Sequence, residues 1–368
     1  MPVKYYSVPS DFKKSTIDAF DKLNKKYADS KITEVYGQIT GENGWGSGRS
    51  ADSVPEADME SLKAYSYYAG SKRIQFNYTL NATCMGNDEF VEKRAQDLYS
   101  FLRGIHAAGI SSLTISMPSV IELVKSMNLD FKIKASVLSC ITNVSKALSY
   151  KSLKVDKIVI DESINRQFSV IKDIREAFGP AVEMIVNVVC LKNCVYRPFH
   201  YNQMSHDISS GRKGITYYSH RCLLKRMENP GNIMRMNWVR PEDIRYYSDI
   251  GIQYFKIQGR QAAINGDIAR VLDNYMNEEY DGGLLDLLDS FLPTSSFHPY
   301  IPNGKLDGFI LPFTESAGFC INHCEKCGYC NRFIAERIDA EEITRLYGMG
   351  EMFIKEIDQY IKQWGGLQ

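Results

Sequence analysis

The sequence predicts an α/β fold, a (β/α)8 TIM-barrel-like domain followed by a small cysteine-rich C-terminal cap. Between residues 32 and 260, short runs rich in β-branched residues alternate with segments of helical periodicity, the pattern of parallel strands joined by crossover helices. Eight such runs occur, the number that closes a barrel. A doubly wound open sheet is the rival. It announces itself by a glycine-rich phosphate loop running into a helix after the first strand, and GENGWGSG from Gly41 lacks the helix start.

The expected strands are ITEVYGQI from Ile32, RIQFNYTL from Arg73, SLTISM from Ser112, FKIKASVL from Phe131, KIVID from Lys157, VEMIVNVV from Val182, MNWV from Met236 and YFKIQG from Tyr254. Linking helices are clearest at 89–108, 167–178 and 241–249. Residues 1–30 read as an N-terminal extension, 31–292 as the barrel and the Pro/Ser-rich stretch 293–305 as a linker. Residues 306–368 form the cap, with four cysteines and an amphipathic helix over 339–364. There are no internal repeats.

Forty-four basic and 44 acidic residues balance to a net charge of zero, so no global field draws the chain to nucleic acid or to an anionic membrane. Nucleic acid is thereby disfavoured as a partner, although a local basic cleft stays open. No run approaches the roughly 18 apolar residues of a membrane span, and the N-terminal MPVKYYSVPSDFKK has no apolar signal core. The expectation is a cytoplasmic protein that does not engage a membrane, a reducing setting that suits free thiols.

Eight of the nine cysteines fall into spacings that metal sites use. Thiolate is a soft ligand suited to iron–sulfur clusters and zinc, and a chain of this length has enough core to dispense with disulfides. Barrels keep functional groups at the C-terminal ends of their strands. Those ends carry Asn81 and Cys84, then Asp161, Glu162 and Arg166, then Asn187, Cys190 and Cys194, then Arg240, and finally Gly259 and Arg260. Cys222 follows in SHRCLLKR. Cys140, in the apolar context VLSCITNV, reads as a small buried residue outside the site.

The second group, CINHCEKCGYC, holds Cys320, Cys324, Cys327 and Cys330. Its C-x2-C-x2-C run matches ferredoxin spacing, its C-x3-C-x2-C run matches that of radical-SAM enzymes, and four thiolates also suit a structural zinc. It follows the last strand rather than the first, which counts against radical chemistry. A lid that completes the first site is a further alternative. Arg197, His200, Arg240, Lys256 and Arg260 are the candidate catalytic and substrate-binding groups, because several cations at one barrel mouth suit an anionic substrate. Their bland alternative is bracing, by pairing with Asp161, Glu162, Glu242 or Asp243. His200 is a candidate proton donor.

The strings NVVCLKNCVYRPFH and NWVRPEDIRYYSDIGIQYFKIQGR resemble the collagenase-like family catalogued as family 32 of the peptidases of unknown catalytic type. The likeness covers roughly residues 76–281. It implies a [4Fe-4S] cluster and oxygen-independent hydroxylation, as in relatives that act on RNA and in ubiquinone pathways, with prephenate as a co-substrate. Cys190 and Cys194 carry over onto the cluster cysteines and Cys222 becomes the third, with Cys84 or a tail cysteine as the fourth. The expected function is therefore redox or hydroxyl transfer on a small anionic or aromatic, or carrier-bound, substrate. Alternatives are an RNA-modifying hydroxylase, a peptidase, and a non-catalytic half of a heterodimer; a homodimer is equally open. For proteolysis the sequence offers neither HExxH nor GxSxG.

Overall fold

The computed structural model describes residues 2–40, 45, 47–49, 54–210, 217–260, 262–291 and 299–364. Eight parallel strands close a barrel in chain order: β1 (Lys4–Pro9), β2 (Ser30–Gly37), β3 (Gln75–Leu80), β4 (Ser112–Ile115), β5 (Lys132–Ala135), β6 (Lys157–Val159), β7 (Val182–Ile185) and β8 (Tyr254–Lys256). Closure comes from β1 pairing with β8, Tyr5 to Tyr254 and Ser7 to Lys256. Helices α1 (Lys14–Lys26), α2 (Met59–Ser71), α3 (Glu92–Ala107), α4 (Pro118–Ser126), α5 (Val144–Ser152) and α6 (Phe168–Phe178) fill the first six crossovers. The long seventh crossover holds α7 (Arg197–Ser210), α8 (Tyr217–Glu228), α9 (Pro230–Arg235) and α10 (Ile244–Asp249). After β8 come α11 (Ala262–Asn265), α12 (Ile268–Asn277) and α13 (Leu284–Leu288), and the tail adds α14 (Leu311–Glu315), α15 (Cys324–Cys327), α16 (Tyr329–Ala335) and α17 (Ala340–Trp364).

Local sequence accounts for these elements. In α6, Phe168, Ile171, Ile174 and Phe178 fall on one stripe and are all buried against the barrel, and Gly179 ends the helix at a φ of 118° that a side chain would resist. In α12 the stripe is Ile268, Val271, Leu272, Tyr275 and Met276, with the Asp267 side chain accepting the Arg270 N–H as an N-cap. None of the described helices is long and apolar enough to cross a membrane.

Two expectations need correction. Residues 1–30 are not an extension, because Lys4–Pro9 is the first barrel strand and α1 its crossover. Tyr6 faces the helices, its hydroxyl donating to the Tyr275 carbonyl at 3.1 Å, while Ser7 faces inward and donates to Glu34 at 2.6 Å. An inward face that is polar defeats a search for apolar strand runs. Conversely, MNWV at Met236 is not a barrel strand. It is buried, but its backbone makes an isolated bridge from Met236 to Leu191 and one bond from the Val239 N–H to the Val186 carbonyl at 2.8 Å, while β8 takes the edge of β7 by pairing Glu183 with Tyr254.

The tail joins the barrel through an aromatic cluster. Phe309 lies 5.5 Å from Trp238 and 5.4 Å from Tyr329, and Phe313, Phe319 and Phe333 close around them. Helix α17 is tied to α8 by the Arg221–Asp358 ion pair at 2.5 Å.

The barrel interior is charged rather than oily. Lys134 on β5 pairs with Glu34 on β2 and lies 3.0 Å from Glu183 Oε1 on β7, and all three are buried. Asn77 bridges Glu34 at 3.3 Å to Ser112 at 2.7 Å. Burial pushes the Glu34 carboxyl up, but Lys134, Lys157 and Lys256 outweigh it and hold it at about 2. Replacing Lys134 by Met strands two buried carboxylates. The expected loss is about 3–5 kcal/mol in denaturant unfolding, whereas replacing all three partners with apolar residues of similar volume is expected to cost far less.

Candidate functional site

At the C-terminal mouth of the barrel lies a cavity with about 500 Å³ of empty space. Strand ends and the loops that follow them supply its walls: Tyr36 from β2, Asn81 after β3, Ser136 after β5, Lys256 from β8, and Gln258 and Arg260 beyond it. Gly259, with a φ of 120°, turns the chain there, where a Cβ would come within 3.2 Å of Ala262. Arg49 enters from the β2–α2 loop and Tyr201 from α7.

Three cations line this cavity, and among its described lining residues there is no carboxylate. Lys256 Nζ sits 3.6 Å from the centre of the Tyr36 ring. Arg260 donates to Gln38 Oε1, to Ser47 Oγ at 2.7 Å and to Asn81 Oδ1 at 3.5 Å, all neutral acceptors. Burial, and then the nearby Lys134 charge, lowers the Lys256 ammonium to about 7. Burial and Arg49 lower Arg260 to about 9. Among the described residues none of these three cations has a carboxylate within salt-bridge distance, so the charge of the described walls is positive.

Tyr201 and Leu138 also line a second cavity, with about 740 Å³ of empty space, which carries Cys140, Cys194, Asp161, Arg197 and Asn202. Here the sequence expectation changes. Arg197 is clamped by two acids, Nη1 to Asp161 at 2.8 Å and Nη2 to Glu162 at 2.7 Å, so its charge is spent on bracing β6 to α7. Burial pushes both carboxyls up; Arg197 more than offsets this at Asp161, which ends low, whereas Glu162 stays raised. Cys140, expected to be an inert core residue, is half-buried and lines this second cavity.

Cys190 lies 3.8 Å from the Tyr201 hydroxyl, and burial followed by Glu162 pushes its thiol up to about 12. Cys222 on α8 is close enough to interact electrostatically with both Cys190 and Cys194. Of the three, Cys194 lines the second cavity. Cys84 is half-buried after β3, its sulfur accepting the Gly86 N–H at 3.4 Å, and lines neither mouth cavity. Cys320, Cys324, Cys327 and Cys330 line a separate cleft in the tail. Soft donors are therefore grouped in two places, in keeping with thiolate-held metal, but among the described residues no three Cys, His, Asp or Glu side chains already converge as a ligand set.

Arg240 is not at the mouth. It is buried between Asp243, at 3.0 Å and 3.1 Å, Asp307 at 2.8 Å and the Asn303 carbonyl at 2.9 Å, so it braces the barrel to the tail. His200 lines neither mouth cavity; its Nε2 is 3.4 Å from Ser219 Oγ, its ring lies over Tyr201, and burial, then Arg49, lowers it to about 4. Sequence reasoning missed Arg49, Tyr36 and Tyr201. Arg49 had a signal, since a glycine-rich loop after a barrel strand opens at the mouth.

The sequence profile described as peptidase family U32 matches residues 48–279. An uncharacterized protease of Methanocaldococcus jannaschii, MJ1657, is 31% identical over 337 residues, covering 90% of this chain and 97% of the relative. Among solved structures, the U32 peptidase Mk0906 superposes with a TM-score of 0.50 at 16% identity, covering 70% of this chain and 92% of that one, a likeness of fold.

Bracing and binding residues separate by substitution. Arg240→Met is expected to lower unfolding stability by about 3–5 kcal/mol and leave anion affinity at the mouth intact, because its buried acid partner Asp243 is stranded. Arg260→Met is expected to show the reverse pattern in the same two measurements.

Proposed function

The chain belongs to peptidase family U32, and from that premise we propose that it is an enzyme that binds a small anionic substrate in the mouth cavity and modifies it by redox or hydroxyl-transfer chemistry at an adjacent iron–sulfur cluster. The observation that carries the proposal is the set of three cations, Arg49, Lys256 and Arg260, facing a cavity without a lining carboxylate among the described residues. A carboxylate or phosphate entering it relieves the burial penalty on each cation, and the arginine forks can hold it in two-point contact.

Cys190, Cys194 and Cys222 would hold the cluster, which when bound supplies one-electron redox capacity and a Lewis-acidic iron. The remaining work falls to the chain itself. Asn81 and Gln258 offer neutral donors and acceptors for orientation. Tyr201 lines both cavities, so its ring and hydroxyl sit where a substrate anchored on the cations would approach the thiol rim. The Arg197 clamp fixes α7, and with it Tyr201, relative to β6.

A second function, peptide hydrolysis, is favoured by the names of the family and of the archaeal relative, and one pair in the structure could serve it: Ser219 Oγ beside His200 Nε2. The pair lies on the α7–α8 surface, and the low position of His200 leaves a weak base.

Three outcomes are expected. In protein purified without oxygen, Cys190→Ala loses iron, sulfide and the visible absorbance of the cluster together with activity, while Ser219→Ala keeps all of them. If instead Ser219→Ala abolishes gelatin cleavage by a metal-free protein, the function is proteolysis. Binding of a dicarboxylate such as prephenate, read by calorimetry, is expected to be strongest below pH 7 and to weaken as pH rises through about 7, because the free Lys256 is protonated only on the acid side. Lys256→Met weakens binding about tenfold or more and flattens that dependence, as for loss of one charge-assisted hydrogen bond.

A further inference from the structure

The tail cleft has features that the mouth does not explain. Cys320, Cys324, Cys327 and Cys330 line it together with Arg235, Asn322 and His323. Cys324 and Cys327 are the two ends of the single turn α15, and Gly328, at a φ of 63°, reverses the chain so that Cys330 comes back on α16. All four sulfurs belong to half-buried residues.

Behind this cleft is a buried charge. Arg166 is 5% exposed and lies against the rings of Trp238, Phe309 and Phe313, 4.9, 4.7 and 5.6 Å from their centres. Its Nη atoms donate to the carbonyls of Met234 and Met236, and its Nε has no partner. The two carbonyls take one N–H from each Nη and carry no net charge to set against the guanidinium. The acids that act on it are Cys330, Tyr247, Cys320 and Asp243. Asp243 is already committed to Arg240 through both oxygens, and the Tyr247 hydroxyl donates its proton to the Asn165 carbonyl. Cys320 and Cys330 line the cleft in front of it. A thiol is neutral, and a buried arginine without a counter-charge costs several kcal/mol, whereas a metal-bound thiol is deprotonated outright.

Lys192 adds a third cation. Its Nζ donates to Cys320 Sγ at 3.2 Å, and it stands between Cys190 and Cys194 in the loop after β7.

We propose that Cys320, Cys324, Cys327 and Cys330 form a closed four-thiolate metal centre, iron–sulfur or zinc, in the tail cleft beside buried Arg166, and that it anchors the 190–194 loop through Lys192. Four protein thiolates leave no open position, so this centre binds no substrate; it is a staple that ties the tail to the loop carrying the rim cysteines. It does not depend on the chemistry proposed for the mouth.

The test compares the full chain, purified without oxygen, with the Cys324→Ala/Cys327→Ala and Cys190→Ala variants, quantifying iron, sulfide and zinc and recording native mass. The tail variant is expected to lose about four irons or about one zinc per chain, a complement that Cys190→Ala retains, and the element lost names the metal. Wild-type metal content in the tail variant overturns the proposal, as does wild-type protein carrying nothing beyond what Cys190→Ala loses. Should the tail variant not fold, iodoacetamide labelling of the wild type decides instead. The four tail thiols are expected to be protected until the metal is stripped, and labelling as fast as in the denatured chain overturns the proposal. Hydrogen exchange over 190–194 is expected to speed up on stripping and also in Lys192→Met with its metal retained; no change in either refutes the anchoring.

Discussion

A single buried ammonium organises the barrel. Lys134 reaches across the interior from β5 to the carboxylates of Glu34 on β2 and Glu183 on β7, tying together strands that are not neighbours in the sheet. Such a network is costly to bury and costlier to break, so every strand that feeds it is held in register by the need to keep it complete. It also sets the field above it. Lys157 and Lys256 interact with the same two carboxylates, Glu34 and Glu183, which already pair with Lys134, and Lys256 stands at the C-terminal mouth.

The described walls of the mouth are positive. The cavity walls contribute hydroxyls, amides and three cations, and Tyr201 joins this space to the cavity beside the thiols. Charge elsewhere in the molecule is spent on holding elements in place: Arg197 on Asp161 and Glu162, Arg240 on Asp243 and Asp307. Arg166 is held instead by the carbonyls of Met234 and Met236.

Much of the fold was legible in the sequence. Seven of the eight strands were placed because each holds a short run of β-branched, aromatic or other apolar residues, and helices with one buried stripe, such as α6, follow them. The first strand was overlooked because its inward residue is Ser7, chosen to hydrogen-bond Glu34 rather than to pack. Met236 to Val239 passed for a strand because its four residues are as buried as one, yet its neighbour in space is the Leu191 loop. Hydrophobicity reports burial, and only pairing makes a strand.

The site divides in the same way. Spacing alone marked the cysteines at 190 and 194 and the tail group from 320 to 330, since thiols so close in sequence stay close in any fold. Strand-end logic brought Lys256 and Arg260 to the mouth. Residue chemistry and periodicity thus determined the barrel and the two soft-donor groups, because both are local properties of the chain. Tertiary structure alone decided that Arg240 and Arg197 meet acids, that the described walls around Arg49, Lys256 and Arg260 hold none, and that Arg166 lies behind the tail thiols, because the compensation of a charge depends on neighbours that the sequence keeps far apart.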